Sequence, residues 1–295
     1  MADQKRGAAY TRRMPFPWPL GLRERIEEIE KRYDHIAAQL NEYGYDPFGL
    51  DPNFGKQLAP AMAILYDYYF RVETHGIERV PTGRVLLIGN HAGNTIPFDG
   101  GLLAAAMLIE GEPPRLCRGM AEFYLPSIPW WNELIHRAGA VVGTPENCVQ
   151  LLEREEAIIV MPEGHRGFIK PYSQAYKLQR FGTGFVRLAL QTRTPIVPVG
   201  IIGSEEQSPG LYDAKGIGRL IGAPAFPITA TFPLLGVLGF VPFPVKYRYY
   251  FGEPILFEGE SNESDESVQE RVDIVRDQIS LLIEAGLEER TSWFT

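Results

Sequence analysis

Cysteine is scarce: Cys117 and Cys148 are the only two in 295 residues. They fit neither a disulfide framework nor a zinc pattern, and two lone thiols suit a reducing compartment. The five histidines are dispersed and none has metal-ligand spacing, so no metal is implied. Basic residues are the minority, 29 Lys and Arg against 37 Asp and Glu, for a net charge of −8. That balance disfavours nucleic acid as a partner, and no basic stripe or nucleic-acid motif offsets it. No Gly-x-Ser-x-Gly elbow is present to supply a serine nucleophile. The early basic residues have no apolar run behind them, so no secretory signal is expected and the protein reads as cytosolic.

Long apolar runs are also few. The longest uncharged stretch runs for 26 residues, Leu220 to Val245. Pro224, Pro227, Pro233, Pro242 and Pro244 break it, and so many missing amide donors exclude a lipid-exposed spanning helix. Its apolar residues, Phe232, Leu234, Leu235, Val237, Leu238, Phe240 and Phe243, together with Trp130 and Trp131, are candidates for an exposed interaction surface. The alternative is a loop folded over the core.

What is there is ordinary globular composition, 45% hydrophobic and 22% charged, in a chain long enough for a large core. Three parts are expected. Residues 1–71 hold a basic, aromatic leader with Lys5, Arg6, Arg12, Arg13 and Trp18, followed by helices. Ile26, Ile29, Tyr33, Ile36 and Leu40 step by three and four, one stripe of an amphipathic helix, and a loop through Pro47 and Pro52 leads to a second helix over 58–71. Residues 72–257 alternate strands and helices and are expected to form the main α/β unit. Residues 258–295 are an acidic linker and a closing amphipathic helix. The fold class is α/β, a mixed, mainly parallel sheet covered by helices. The prolines of the strand at 195–202 suggest an edge or a terminus, and Lys246 to Phe251 alternates like a half-exposed strand.

The organising stretch is Val85 to Asp99. An apolar strand feeds a turn-forming loop carrying Asn90 and His91, and Asp99 follows before a helix. A second buried strand, Ala157 to Met161, delivers Pro162-Glu163-Gly164-His165-Arg166. In a largely parallel sheet both loops emerge at one edge, where ligands bind. Histidine takes a proton from a hydroxyl when a carboxylate fixes its tautomer, and arginine offers a planar fork for phosphate. Together these suit group transfer to a hydroxyl with a phosphate-bearing ligand present. Two blander roles stand beside these: Asp99 as a helix cap and Glu163 as an ion-pair partner of Arg166.

Asn90-His91 with its later aspartate, then Pro162-Glu163-Gly164-His165-Arg166, then Pro195-Ile196-Val197-Pro198-Val199, resembles the glycerolipid (lysophospholipid) acyltransferase superfamily in order and rough spacing. The match covers residues 70 to 255, and Pro242-Phe243-Pro244 to Gly252-Glu253-Pro254-Ile255 is similar to its neutral-lipid branch. The resemblance implies acyl transfer from acyl-CoA or acyl carrier protein, as co-substrate rather than cofactor, to a glycerolipid hydroxyl. It implies His91 as general base, Asp99 as its orienter, and Glu163, Gly164, Arg166 and Asn90 as substrate-binding residues. It also implies a peripheral or monotopic protein at the inner face of a membrane. Two departures are plain. Seven residues separate His91 from Asp99 where the family pattern has four, and Gly143-Thr144-Pro145 lacks the arginine often found there. The second leaves room for a neutral acceptor such as mono- or diacylglycerol. A non-catalytic lipid- or acyl-carrier-binding protein and a thioester hydrolase are the alternatives on the same fold.

Overall fold

The computed structural model describes residues 21–36, 40–42, 46–122, 131–220 and 226–295. The basic leader, most of the aromatic run 123–131 and Pro224 lie outside the described residues. The strands are β1 (Glu73–His75), β2 (Val85–Gly89), β3 (Cys117–Ala121), β4 (Val141–Val142), β5 (Ala157–Val160), β6 (Ile196–Ile202), β7 (Gly210–Asp213), β8 (Pro227–Thr229) and β9 (Arg248–Phe251). The helices are α1 (Leu22–Asp34), α2 (Pro52–Ile64), α3 (Phe98–Ile109), α4 (Trp131–Arg137), α5 (Pro145–Glu153), α6 (His165–Phe168), α7 (Gly184–Thr192), α8 (Lys215–Leu220) and α9 (Asp265–Glu289). Seven strands form one sheet in the order β1-β9-β6-β2-β5-β3-β4, while β7 and β8 make a separate antiparallel ribbon. From β6 to β4 all neighbours are parallel; β9 reverses against β6 and carries β1 with it. The sheet is mixed and mainly parallel, as expected from the alternation of elements.

Both faces are covered, which explains why β2 and β5 read as unbroken apolar runs rather than alternating ones. Val85 and Leu87 of β2 pack with Ile29, Ala63, Leu102 and Ala106 of α1, α2 and α3. Leu86 and Ile88 face the other way, among Leu151, Val186, Val272 and Ile279 of α5, α7 and α9. Helix α9 begins where the acidic linker ends, its Ser264 side chain accepting from the Ser267 N–H.

Three local expectations are corrected. Helix α2 starts at Pro52, earlier than its apolar pattern suggested, because Asp51 accepts from the Asn53 and Phe54 N–H groups and proline suits the first helical position. Strand β6 is central and wholly buried rather than an edge. Its Pro198 is tolerated because the neighbouring chain has just left β9: the Pro198 carbonyl takes the Gly252 N–H, and ladder pairing resumes only at Ile196 with Ile255. Strand β9 is buried at all four residues, since β1 closes its outer edge and Arg248 neutralises Glu73 at 3.2 Å.

Helix α9 lies directly on β6. A Cβ at Gly200 would stand 2.8 Å from the Leu282 Cβ and 3.1 Å from the Ile283 amide nitrogen. Gly200→Ala is therefore expected to cost about 1–3 kcal/mol by overpacking, seen as a lower midpoint in chemical denaturation.

Candidate active site

Strands β2 and β5 are parallel neighbours in register, Val85 opposite Ala157 and Ile88 opposite Val160. Their carboxyl ends therefore place the His91 loop and the Glu163 loop side by side. Glu163 ties them: one carboxylate oxygen accepts the His91 N–H at 2.9 Å and the other the Gln179 N–H at 2.6 Å. Asn90 makes a comparable tie, giving its amide to the Ile201 carbonyl at 3.0 Å and accepting the Ile201 N–H at 2.7 Å. Both side chains are buried. They hold the backbone of the two loops and of β6.

The seven residues between His91 and Asp99 still bring the pair together. His91 Nδ1 lies 2.7 Å from Asp99 Oδ2, and the Asp99 side chain has no exposed surface. The same Oδ2 accepts the Ala92 N–H at 2.9 Å, and Oδ1 accepts the Gly100 N–H at 2.8 Å in the first turn of α3. One carboxylate thus orients the histidine with one oxygen and takes a first-turn amide of α3 with the other, while the N-cap position itself is Pro97. With Nδ1–H directed to the carboxylate, Nε2 is left as the basic nitrogen of the ring. The His91 ring stacks on Phe168 of α6, centroids 4.9 Å apart. Burial pushes the imidazole pKa down, but the Asp99 carboxylate, with Glu163 and Glu122 behind it, outweighs that and holds it above the ordinary histidine value.

The widened loop has its own supports, which carry no sequence signature. Gln207, just past β6, donates to the Gly93 and Ile96 carbonyls at 3.2 and 2.7 Å, and Tyr247 donates to its other amide atom. Asn94 donates to the Ser208 carbonyl at 3.0 Å, and Tyr249 of β9 donates to the Asp99 carbonyl at 2.8 Å. The signals available in the chain are weak: an isolated glutamine and tyrosines in a strand.

Gly164 adopts φ 57° and ψ −149°, a conformation side chains avoid, and a Cβ there would stand 2.4 Å from Glu122 Oε1. That turn lets Glu122 accept the His165 N–H at 2.6 Å. Arg166 is exposed and does not pair with Glu163; its guanidinium reaches the Arg180 carbonyl at 3.3 Å. Lys170 is instead buried against Glu205 at 2.7 Å, where burial pushes the Glu205 carboxyl up to about 7. At the β4–α5 turn, Thr144 caps α5 through the Asn147 N–H and adds no charge. Burial pushes the Cys117 thiol up to about 12 and Cys148 to about 11, so neither is a nucleophile at neutral pH.

Residues 71–202 match the family described as Acyltransferase. An uncharacterized protein of Mycobacterium leprae is 39% identical over 246 residues, 81% of this chain and 67% of its own. An uncharacterized protein of Mycobacterium tuberculosis is 43% identical over 217 residues, 72% and 60% of the two chains. A mouse protein, "DGAT1/2-independent enzyme synthesizing storage lipids", is 27% identical over 67% of this chain and 57% of its own. The chain thus spans about three fifths to two thirds of these relatives' length. Among solved structures, the 1-acyl-sn-glycerophosphate acyltransferase PlsC of Thermotoga maritima aligns at 19% identity and a TM-score of 0.49, over 92% of this chain and 83% of that one.

Proposed function

The chain belongs to the glycerolipid acyltransferase superfamily, and from that premise we propose that it moves a fatty acyl group from an acyl thioester to a hydroxyl of a glycerolipid. His91 Nε2 takes the proton of the acceptor hydroxyl as its oxygen attacks the thioester carbonyl. The carbon–sulfur bond breaks, the ester forms, and the proton passes from the imidazolium to the departing thiolate. Asp99 holds the ring and stabilises its cation. The observation that carries this reading is the 2.7 Å His91–Asp99 contact at the carboxyl ends of parallel strands.

The donor we assign is acyl-CoA or acyl carrier protein, and the acceptor a neutral acylglycerol. Two features support the neutral acceptor: the turn at Thr144 bears no cation, and buried Lys170 is already matched by Glu205. The mouse relative, named for synthesizing storage lipids, is in keeping with it. Exposed Arg166 then serves the donor, whose phosphopantetheine carries a phosphate whether the carrier is CoA or protein. Among the described residues no helix is long and apolar enough to cross a membrane, and a peripheral station at the inner face of a membrane fits the lipid acceptor.

The test is an ester-forming assay with labelled acyl-CoA, and separately acyl carrier protein, against monoacylglycerol, diacylglycerol and lysophosphatidate. Ester with the neutral acceptors is expected. Ester with lysophosphatidate alone overturns the acceptor, and free fatty acid without ester turns the reading to a hydrolase. Arg166→Ala is expected to raise KM for acyl-CoA about tenfold, the loss of about 1.4 kcal/mol of phosphate contact. A phosphate-free acyl thioester should be used equally well by both proteins.

A further inference from the structure

The chain makes one long excursion between β6 and β9. Its root holds the catalytic loop: Gln207 and Asn94 join it to the Gly93–Ile96 turn, and the Ala230 N–H returns to the Pro209 carbonyl. Beyond that root the apolar residues are bare. Leu220, Leu234 and Val237 are 86%, 84% and 85% exposed, and Leu211, Tyr212 and Leu238 also face solvent. Leu211 and Tyr212 are successive exposed residues of β7, at the point where a bulge interrupts its pairing with β8. After β8, the turn through Gly236–Phe240 is pinned from within by Phe232 against Phe240, centroids 4.4 Å apart, and by Thr231 on the Gly239 carbonyl. Leu234, Val237 and Leu238 are thereby presented outward on an ordered turn.

Glu205 and Glu206 at the root of the excursion pair with Lys170 and Arg290, and Asp213 accepts the Phe226 N–H; beyond Asp213 the charge is one-sided. From Ala214 to Gly252 the sequence contains no acidic residue and four basic ones, in a chain of net charge −8. Lys246 and Arg248 are spent on Glu73. Lys215 and Arg219 of α8 are exposed and enter no ion pair among the described residues. Bare aliphatic groups beside unpaired cations, with the adjacent Asp213 turned onto the Phe226 N–H, match the apolar and anionic layers of a lipid surface. A large exposed apolar patch marks an interaction site.

We propose that this excursion, through Leu211, Tyr212, Leu220, Leu234, Val237 and Leu238 with Lys215 and Arg219, docks on an anionic lipid bilayer. Docking there sets the bilayer beside the loop that carries His91, because the excursion and that loop share hydrogen bonds at the root. The proposal rests on the reading that the acceptor is a membrane-held glycerolipid.

Vesicle flotation tests it, using phosphatidylcholine vesicles without and with about 30% anionic phosphatidylglycerol. The full chain should float with the anionic vesicles and at least tenfold less with the neutral ones. Leu234→Ser with Val237→Ser, and separately Lys215→Glu with Arg219→Glu, should each reduce binding at least tenfold. Both variants should keep the wild-type circular dichroism spectrum and wild-type turnover of a short-chain, water-soluble monoacylglycerol. Undiminished flotation of both variants overturns the proposal. So does a wild type that floats with neither vesicle, or one whose surface residues instead control dimerisation in light scattering. Flotation as expected with no ester from any acceptor keeps the docking surface and defeats the acyltransferase reading, so the two fail separately.

Discussion

Replacing His91 by alanine is expected to lower kcat/KM for ester formation by about 10²–10⁴-fold, the range for losing a positioned general base. Little else should change. The His91 tie to Glu163 runs through the backbone N–H, which alanine retains. Its side chain is 16% exposed and sits at the rim of the sheet, so little core is opened. Vesicle flotation should therefore match the wild type while labelled ester disappears. The midpoint of thermal unfolding should fall modestly, because the buried Asp99 carboxylate loses its imidazole partner but keeps the Ala92 and Gly100 N–H groups. Ester formation at more than a tenth of the wild-type rate would remove His91 from the chemistry.

Asp99→Asn is expected to be nearly as damaging, on the order of 10²–10³-fold in kcat/KM, through the histidine rather than through substrate. An amide at that position no longer stabilises the imidazolium, and if its NH₂ faces Nδ1 it selects the tautomer with the proton on Nε2. The pH dependence separates this from simple structural damage. In the wild type the carboxylate holds the His91 pKa above the ordinary value, so activity should fall with decreasing pH at a midpoint above that value. In Asp99→Asn the residual activity should persist to lower pH, because burial is then opposed by less negative charge. The linked stability has the opposite sense. A raised folded-state pKa stabilises the fold fully below the unfolded value of about 6.5 and loses that contribution as pH rises through the folded value. The pH slope of the melting temperature near neutrality should flatten in the variant. Asp99→Ala adds a separate cost: the Ala92 and Gly100 N–H groups lose their acceptor, about 1–3 kcal/mol for each one left unsatisfied.

Much of the frame was legible in the residues themselves. Val85–Ile88 and Ala157–Val160 are continuous apolar runs that only a strand covered on both faces accommodates, and their parallel pairing follows from the helices between them. The pairing of His91 with Asp99 was named from the loop although its interval exceeds the family's. What was not legible depends on partners far away in sequence. Pro198 looked like an edge residue because nothing nearby reveals that β9 ends opposite it. Glu163 and Asn90 have side chains equally suited to ligands and to backbone, and only the fold shows that backbone N–H and carbonyl groups occupy them. Gln207, Tyr247 and Tyr249 reach the site from more than a hundred residues away and belong to no motif.

The reversal of β9 has a further consequence. Ile202 and Arg248 are opposite partners in the antiparallel pair, so everything between them departs from and returns to one point on the sheet. Such an insertion is a cassette. Its length and composition are free to vary at small loop-closure cost while β2, β5, β6 and β9 keep their register. Among its described residues, the hydrogen bonds to the loop that carries His91 come from the base, Gln207 and Ser208. A single architecture of this kind can be retuned for different surfaces by exchanging the outer part of the cassette, with the histidine and its carboxylate left where they are.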